Sequence, residues 1–323
     1  MPDGLDLAAT RTFAPTLDAR DFDIRGSLRA TWPLQRTVME QHTGLAAWIG
    51  RSETVHDRFD PTPVRALAAT LDHAAAPVAD GDPLPPLWHW LYFLPLHRQS
   101  EIGPDGHARR GGFLPPVPLP RRMWAGSQFE FRSPLRVGAT ATRRSTIDSV
   151  TTKQGRSGTL VFVRVRHEVF CKAAAEPALV EFHDIVYRAA RQPGDAEPPP
   201  QAAPTGAAWT RQVLPDPVLL FRYSALTFNG HRIHYDRRYV TEAEGYPGLV
   251  VHGPLIATLL LDLVRRELPR AEVTAFRFKA VRPTFDLDPF HVEGRLLDDG
   301  RAVHLWARNP EGWLTMDATA TLR

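Results

Sequence analysis

The chain has 323 residues, 43% of them hydrophobic, which is enough for one large domain or two ordinary ones, and we expect two. Its 39 Lys and Arg nearly balance 36 Asp and Glu, so the net charge of +3 argues against a nucleic-acid binder, and the single Cys171 excludes an internal disulfide. The first residues lack the pattern of a secretion signal, and the richest apolar stretches, 87–96 and 255–264, are too short to cross a bilayer. These features predict a cytoplasmic protein with no membrane partner.

The first half of the chain is predicted to contain two helices followed by strands. Residues 1–34 have no recognisable pattern and are expected to form an irregular extension. Asp60-Pro61 is a typical N-cap and first helical residue for a helix ending at Leu71, and the apolar stretch Leu84–Leu94 predicts a second helix. Alternating apolar and charged residues then predict four strands, at 129–135, 140–150, 158–168 and 178–188.

A loop rich in Pro and Gly interrupts this half at about 103–126. Gly103-Pro104-Asp105-Gly106 and Gly111-Gly112 have no strand before them and no helix after them, so they do not match a nucleotide-binding loop. We expect a lid or a packing arm here. Its residues Arg121, Arg122 and Trp124 are candidates for contact with a substrate.

The second half repeats the order of the first. Residues 191–208 are predicted to be a Pro-rich linker, which divides the chain into domains 35–190 and 209–323. Asp216-Pro217 begins an apolar helix that ends near Thr227, and a second apolar helix is predicted at Pro254–Leu268. The predicted strands of this half are 276–283, 289–297, 302–309 and 314–322, and turns such as Asp298-Asp299-Gly300 separate them.

The helix Pro254–Leu268 indicates how the sheet is used. Its apolar residues cover most of its circumference, so it has to be surrounded by the sheet. A helix inside a curled antiparallel sheet is the hot-dog fold, and two copies give an α+β double hot-dog. The same elements could also form helices on one side of a flat sheet, a generic α+β domain.

Two short segments carry the chemistry. Asn229-Gly230-His231-Arg232-Ile233-His234 places a carboxamide and an imidazole just beyond a helix, and Val251-His252-Gly253-Pro254 begins the next helix. Together they resemble the signature of the MaoC-type, or hydratase 2, family, which is Asp-x-Asn-Pro-(apolar)-His followed by a His-Gly-led helix. From about residue 35 onward the chain resembles a two-module branch of mesaconyl-C4-CoA and itaconyl-CoA hydratases and of fungal-synthase-like 3-hydroxyacyl-thioester dehydratases.

The resemblance implies a catalytic set of Asn229, His234 and Gly253. His234 would transfer the proton, Asn229 would hold the water, and the Gly253 backbone N–H would bind the developing enolate oxygen. Here Asn229 replaces the family's usual aspartate, and an amide cannot act as a base. His231, Arg232 and His252 are expected to support or bind the substrate, while Arg277, Lys279 and Arg282 would hold coenzyme A phosphates or else form an ordinary solvated face.

The first half lacks this pair, because Asp72 and Pro77 occupy the positions of Asn229 and His234, so it is expected to close the sheet and shape the acyl tunnel. His234 itself could instead be an ordinary turn histidine, and Gly253 could simply begin a helix. The resemblance implies an acyl-CoA substrate, no metal, no redox cofactor and pairing into a homodimer.

Three functions remain open. The first is a hydro-lyase for a short branched C4 or C5 dicarboxylic acyl-CoA, such as mesaconyl-C4-CoA or itaconyl-CoA. Arg222, Arg232 and Arg237 favour it, since an arginine can bind a second carboxylate. The second is a dehydratase for longer 3-hydroxyacyl thioesters in fatty-acid metabolism, and the third is a non-catalytic acyl-thioester-binding module.

Overall fold

A computed structural model of the protein describes residues 44–73, 79–155, 158–172, 174–190 and 199–323. The predicted extension 1–34 lies outside the described residues, as do Pro77 and the first part of the predicted linker. In the described ranges no helix has both the length and the apolar character needed to cross a membrane.

The described residues form four α-helices, which are α1 (Pro61–Thr70), α2 (Pro217–Leu226), α3 (Arg237–Glu242) and α4 (Gly253–Glu267). α1 and α2 both begin at the proline of an Asp-Pro pair, as predicted, and they pack against each other. Asp216 caps α2, because its Oδ1 accepts hydrogen bonds from the backbone N–H groups of Val218 (2.7 Å) and Leu219 (3.0 Å). Asp60 makes no such side-chain bond to α1.

Ten strands make one antiparallel sheet among the described residues. They are β1 (Ser52–Arg58), β2 (Arg121–Phe131), β3 (Thr140–Gly155), β4 (Gly158–Cys171), β5 (Leu179–Arg188), β6 (Trp209–Val213), β7 (Val273–Ala280), β8 (Phe290–Leu296), β9 (Ala302–Arg308) and β10 (Leu314–Leu322). The strand order is β1-β3-β4-β5-β2-β7-β10-β9-β8-β6. Counted outward from the central β2–β7 pair, the two halves have the same order, and Phe129 lies opposite Phe276 at the junction.

The predicted strands are present, but the sheet extends beyond them. β1 and β6 are edge strands that the sequence pattern did not reveal, and both are short. β2 begins at Arg121 and not at residue 129, so Arg121, Arg122 and Trp124 lie in a strand and not in the loop expected for them. Trp124 stacks on His183 of the neighbouring β5, with ring centroids 4.0 Å apart. Cross-strand pairing therefore outweighs the loop character of the preceding prolines.

The helix α4 is surrounded by the sheet, as predicted. Every residue from Leu255 to Val264 is buried, and the helix packs against β6, β8, β9 and β10. Asp262 is the charged residue of this buried stretch. Its carboxylate accepts hydrogen bonds from Arg211 (2.9 Å), Arg265 (3.1 Å) and Arg266 (2.8 Å) and lies 2.6 Å from His73 Nε2.

The described residues of the first half contain no comparable helix, and the prediction of a helix at Leu84–Leu94 was wrong. Only Trp88–Leu91 form a short 3-10 turn, flanked by left-handed residues at Leu87 (φ 69°) and Phe93 (φ 54°). Pro85 and Pro86 explain the failure, because each removes an N–H donor and restricts the residue before it. Residues of β2, β3, β4 and β5 line a cavity of about 990 Å³.

Candidate active site

The turn that carries Asn229 and His234 is fixed by backbone bonds. α2 ends at Leu226, Phe228 adopts a left-handed φ of 50°, and the N–H of Asn229 donates to the carbonyl of Ser224 (2.8 Å). Asn229 Oδ1 accepts the backbone N–H of His231 at 3.1 Å. This local Asx turn holds Asn229 at the wall of the cavity.

His234 is buried, and its tautomer is set by the backbone. Its Nδ1 donates to the carbonyl oxygen of Val250 at 2.7 Å, and a carbonyl can only accept, so the unprotonated nitrogen is Nε2. Burial lowers the pKa of His234 to about 4, with the bond to Val250 opposing the shift and the charge of His107 adding to it. The imidazole is therefore neutral at physiological pH and able to accept a proton.

His234 belongs to a row of four imidazoles. It stacks on His252 with ring centroids 3.7 Å apart, and His231 meets it edge to face at 5.5 Å. His107 packs on the other side of His231 at 3.9 Å. His252 is completely buried, and its Nε2 lies 2.8 Å from Ser224 Oγ. Burial lowers the pKa of each of the other three, that of His231 to about 2, so the row is uncharged.

His107 comes from the first half, and the sequence interpretation missed it. Its Nδ1 donates to Asp105 Oδ2 at 3.1 Å, and the carbonyl of Asp105 accepts the backbone N–H of Arg232 at 2.9 Å. Burial opposes ionisation of Asp105, but the hydrogen bond and charge of His107 keep the pKa of this carboxyl low. The Gly103–Gly106 turn was noticed in the sequence, yet nothing local indicated that it packs on the signature turn.

The contact between these two turns depends on glycine. Gly106 has a φ of +88°, and a Cβ at this position would lie 1.8 Å from the carbonyl oxygen of Gly230. Only a glycine fits such an approach. Potential metal-binding atoms of Asp105, His107 and His231 consequently lie within 4.8 Å of one another. Their hydrogen bond and ring packing account for this proximity, so the group alone does not indicate a metal site.

Gly253 is the first residue of α4, where backbone N–H groups are not used by the helix. His252 precedes it, so the His234–His252 stack adjoins this helix end, and Pro254 lines the cavity together with Asn229. A Cβ at Gly253 would meet only Met316 Cε, at 3.9 Å. Packing within the protein therefore does not require a glycine at 253, whereas close approach of a ligand would.

The cavity is bounded by both halves, and its wall in the first half combines apolar residues with a group of buried polar ones. Glu181 accepts hydrogen bonds there from His89 (3.2 Å), Trp90 (3.3 Å) and Ser127 (3.3 Å). Burial alone would raise its pKa, but the bond from His89 and the nearby histidines lower the pKa of Glu181 to about 2. The other polar residues at this wall include His167, His183, Arg122 and Arg143.

Of the predicted site residues, Asn229 and Arg232 line the cavity, whereas His231, His234, His252 and Gly253 are not part of its wall and lie next to lining residues in the chain. Three predicted binding residues lie away from the cavity. Arg277 and Lys279 are exposed and alternate along β7 with the buried Phe276 and Phe278, so they face the other side of the sheet. Arg282 is half-buried and, like these two, is not part of the cavity wall. Their role with coenzyme A stays a prediction.

The arginines proposed to favour a second carboxylate are mostly engaged elsewhere. Arg232 lines the cavity, but it donates to Asp236 (2.7 Å) and to the carbonyl of Pro104 (2.9 Å). Arg237 pairs with the buried carboxylate of Asp286, and Arg222 is exposed.

In the first half, Asp72 has a left-handed φ of 55° and follows α1, but its predicted companion Pro77 is outside the described residues.

Comparisons with known proteins identify the family of this chain. A family model described as hydroxyacyl-thioester dehydratase type 2 matches residues 87–286. The chain is 49% identical over 282 residues to the mesaconyl-C(4)-CoA hydratase of Chloroflexus aurantiacus, covering 85% of this chain and 97% of that one.

Solved structures share the fold at low sequence identity. A MaoC-like dehydratase from Phytophthora capsici superposes with a TM-score of 0.60 at 12% identity, over 87% of this chain and 97% of that one. A Mycobacterium tuberculosis protein described as having a double hotdog fold gives a TM-score of 0.52 at 14% identity, over 85% and 96% of the two chains. The predicted double hot-dog is thereby confirmed.

Proposed function

This chain belongs to the hydroxyacyl-thioester dehydratase type 2 family, and from that premise we propose that it adds water reversibly to the double bond of an α,β-unsaturated acyl-CoA. It is a hydro-lyase. The proposed substrate is a short branched C4 or C5 dicarboxylic acyl-CoA, with mesaconyl-C4-CoA first and itaconyl-CoA second. The high identity to the Chloroflexus hydratase over nearly all of that protein supports this order.

In the proposed mechanism, His234 activates the water. Its Nε2 takes a proton from a water held by Asn229, and the oxygen forms a bond to the β-carbon of the thioester. The electron pair of the double bond moves onto the thioester carbonyl, and the resulting enolate is protonated at the α-carbon. A neutral imidazole with a fixed tautomer is suited to both proton transfers.

The enolate oxygen is proposed to bind at the N-terminus of α4. The free N–H groups and the helix dipole supply partial positive charge there, and one such donor is typically worth about 3–4 kcal/mol in the transition state. The space beside Gly253, where a Cβ would touch only Met316, supports close approach of a thioester to this backbone N–H.

The alternatives are less well supported. A dehydratase for long 3-hydroxyacyl thioesters needs an apolar tunnel, but the first-half wall of the cavity places Glu181, His167, His183 and Arg143 among its apolar residues. A non-catalytic thioester-binding module would have no use for a buried imidazole whose base nitrogen is preset. A cytoplasmic location and a homodimer are proposals from composition and from the family resemblance.

The observation that carries the proposal is the bond from His234 Nδ1 to Val250, which leaves Nε2 as the base beside the α4 N-terminus. The test is a panel of CoA esters followed by loss of the conjugated enoyl absorbance. We expect turnover of mesaconyl-C4-CoA, and we expect His234→Gln to reduce kcat/KM by roughly 10²–10⁴, the usual range for an acid–base residue.

The matched control is His304→Gln. His304 also lies in the second half, but it is bonded to Asp317 at 2.8 Å and packs on Trp306, away from the row of imidazoles, so this variant should keep full turnover. Equal activity of His234→Gln and the wild-type protein would refute the assignment of the base. Turnover of crotonyl and longer esters with no dicarboxylic ester accepted would favour the fatty-acid dehydratase.

A further inference from the structure

A substrate of the proposed class brings a charge into the cavity, and this inference rests on the proposed function. In mesaconyl-C4-CoA the free carboxylate is attached to the β-carbon, the same atom that water attacks. The group that binds this carboxylate must therefore lie within a few ångströms of the catalytic turn. Burying a carboxylate without a partner is strongly unfavourable, so a cation is expected there.

Most cations around the cavity are already engaged. Arg232 is bonded to Asp236, and Arg110 donates to the carbonyls of Val117 (2.6 Å), Leu119 (2.5 Å) and Pro120 (2.6 Å). Arg143 has its charge offset by three nearby carboxylates, those of Glu53, Asp57 and Glu181. A second anion would meet net negative charge beside Arg143.

Arg122 is different. It lies half-buried on β2, opposite Tyr187 of β5, and both residues line the cavity. Burial raises the pKa of Tyr187, and the charge of Arg122 opposes this rise, so the two side chains interact across the strand pair. Its neighbour Arg121 pairs with Glu244 at 3.3 Å, whereas Arg122 has no carboxylate partner in the part of the chain that the structure describes.

The charge of Arg122 also acts on the catalytic side of the cavity. Burial is the main cause of the low pKa values of His183, His107 and His231, and the charge of Arg122 lowers each of them further. Arg122 and the turn that carries Asn229 also line the same cavity. The surrounding imidazoles are neutral, so they do not compete with it for an anion.

We propose that Arg122 binds the free carboxylate of the dicarboxylic substrate and thereby sets the specificity of the reaction. The planar guanidinium can hold a carboxylate by two parallel hydrogen bonds. Positive charge beside the β-carbon also offsets the repulsion between the substrate carboxylate and the attacking water as it loses its proton. The first half then supplies recognition, and the second half supplies the base.

The test compares substrates with and without the second carboxylate. Arg122→Gln removes the charge but keeps a polar side chain, and kcat/KM is measured with mesaconyl-C4-CoA and with crotonyl-CoA. We expect the ratio of the two values to fall by about 10²–10³, as for an anion that loses its buried partner. Arg122→Lys should recover part of the ratio, since it restores the charge without the planar fork.

A binding measurement covers the case of weak crotonyl-CoA turnover. The saturated analogue with a carboxylate, 2-methylsuccinyl-CoA esterified at the carboxyl remote from the methyl, is compared as an inhibitor with isovaleryl-CoA, in which a methyl replaces the carboxylate. In Arg122→Gln the first should lose its advantage in inhibition constant over the second. Inhibition by isovaleryl-CoA also verifies that the variant is folded and has a formed site.

The control variant is Arg121→Gln, which removes the adjacent charge on the same strand outside the cavity wall and should leave the ratio unchanged. Equal losses on both esters in Arg122→Gln would overturn the proposal, because they would mean that Arg122 holds the CoA moiety or the fold. An unchanged ratio would also overturn it. A wild-type protein that turns over no dicarboxylic ester would instead refute the proposed function.

Discussion

The buried state of His234 predicts an unusual acid limb in the pH–rate profile. Because burial lowers its pKa to about 4, about 97% of this imidazole should be neutral at pH 5.5, whereas an ordinary histidine of pKa about 6.5 would be only about 9% neutral. The value of kcat/KM should therefore fall by only a few per cent between pH 8 and pH 5.5. A normal histidine base would lose about tenfold over the same range.

The assay is the initial rate of enoyl absorbance loss at substrate concentrations well below KM, from pH 8 to pH 4.5. The row of imidazoles titrates as a coupled set, so the limb gives an apparent pKa for the site. Below pH 6.5 each buried imidazole also takes up a proton when the protein unfolds, so the protein loses about 1.4 kcal/mol of stability per pH unit for each such group. Samples are therefore returned to pH 8 to verify that activity recovers. A tenfold loss by pH 5.5 that reverses on return would refute the reasoning.

Two further predictions concern the scaffold of the site. Gly106→Ala should lower both activity and the midpoint of thermal unfolding, because the new Cβ cannot fit 1.8 Å from the Gly230 oxygen. The control is Gly111→Ala, where φ is +89° and the nearest neighbour of a Cβ would be 4.0 Å away. This control measures backbone strain alone and should lower the free energy of unfolding by only about 1–2 kcal/mol. Asp262→Asn should reduce the free energy of unfolding, measured in urea, by about 2–4 kcal/mol, because it leaves the arginines around α4 without their shared anion. Its control is Glu242→Gln, which breaks an exposed pair with Arg238 and should reduce the same free energy by less than about 1 kcal/mol. Equal effects within either pair would contradict these assignments.

The parts of the fold that follow from local pattern were predictable. α4 was predictable because apolar residues cover most of its circumference. α1 and α2 were predictable because an Asp-Pro pair stands at the beginning of each. The turn that carries Asn229 and His234 could be singled out because its residues are contiguous. The prediction of a helix at Leu84–Leu94 was wrong because it followed the apolar content of the segment and gave too little weight to the prolines, which prevent a helix there.

The missed residues depend on contacts distant in sequence. His107 reaches the catalytic turn only because the Gly106 and Gly230 backbones touch across 124 positions of the chain. Arg122 was noticed but assigned to a loop, because pairing of β2 with β5 and β7 is invisible in the strand's own residues. Conversely, Arg277 and Lys279 looked suitable for phosphates, yet the alternation of β7 turns them away from the cavity.

The charges around the catalytic turn form a consistent set under the proposed function. The resemblance leads one to expect an aspartate at position 229. An aspartate roughly 5 Å from a substrate carboxylate would repel it by about 3 kcal/mol at an effective dielectric constant near 20. Asn229 removes this repulsion and keeps a group that can hold water. The neutral imidazoles add no charge of their own, and the nearby carboxylate of Asp105 is already bonded to His107. Arg122 is a cation of the cavity wall with no carboxylate partner among the described residues. The loss of an acid from one half and this cation in the other then have a single explanation in a substrate that carries its own anion.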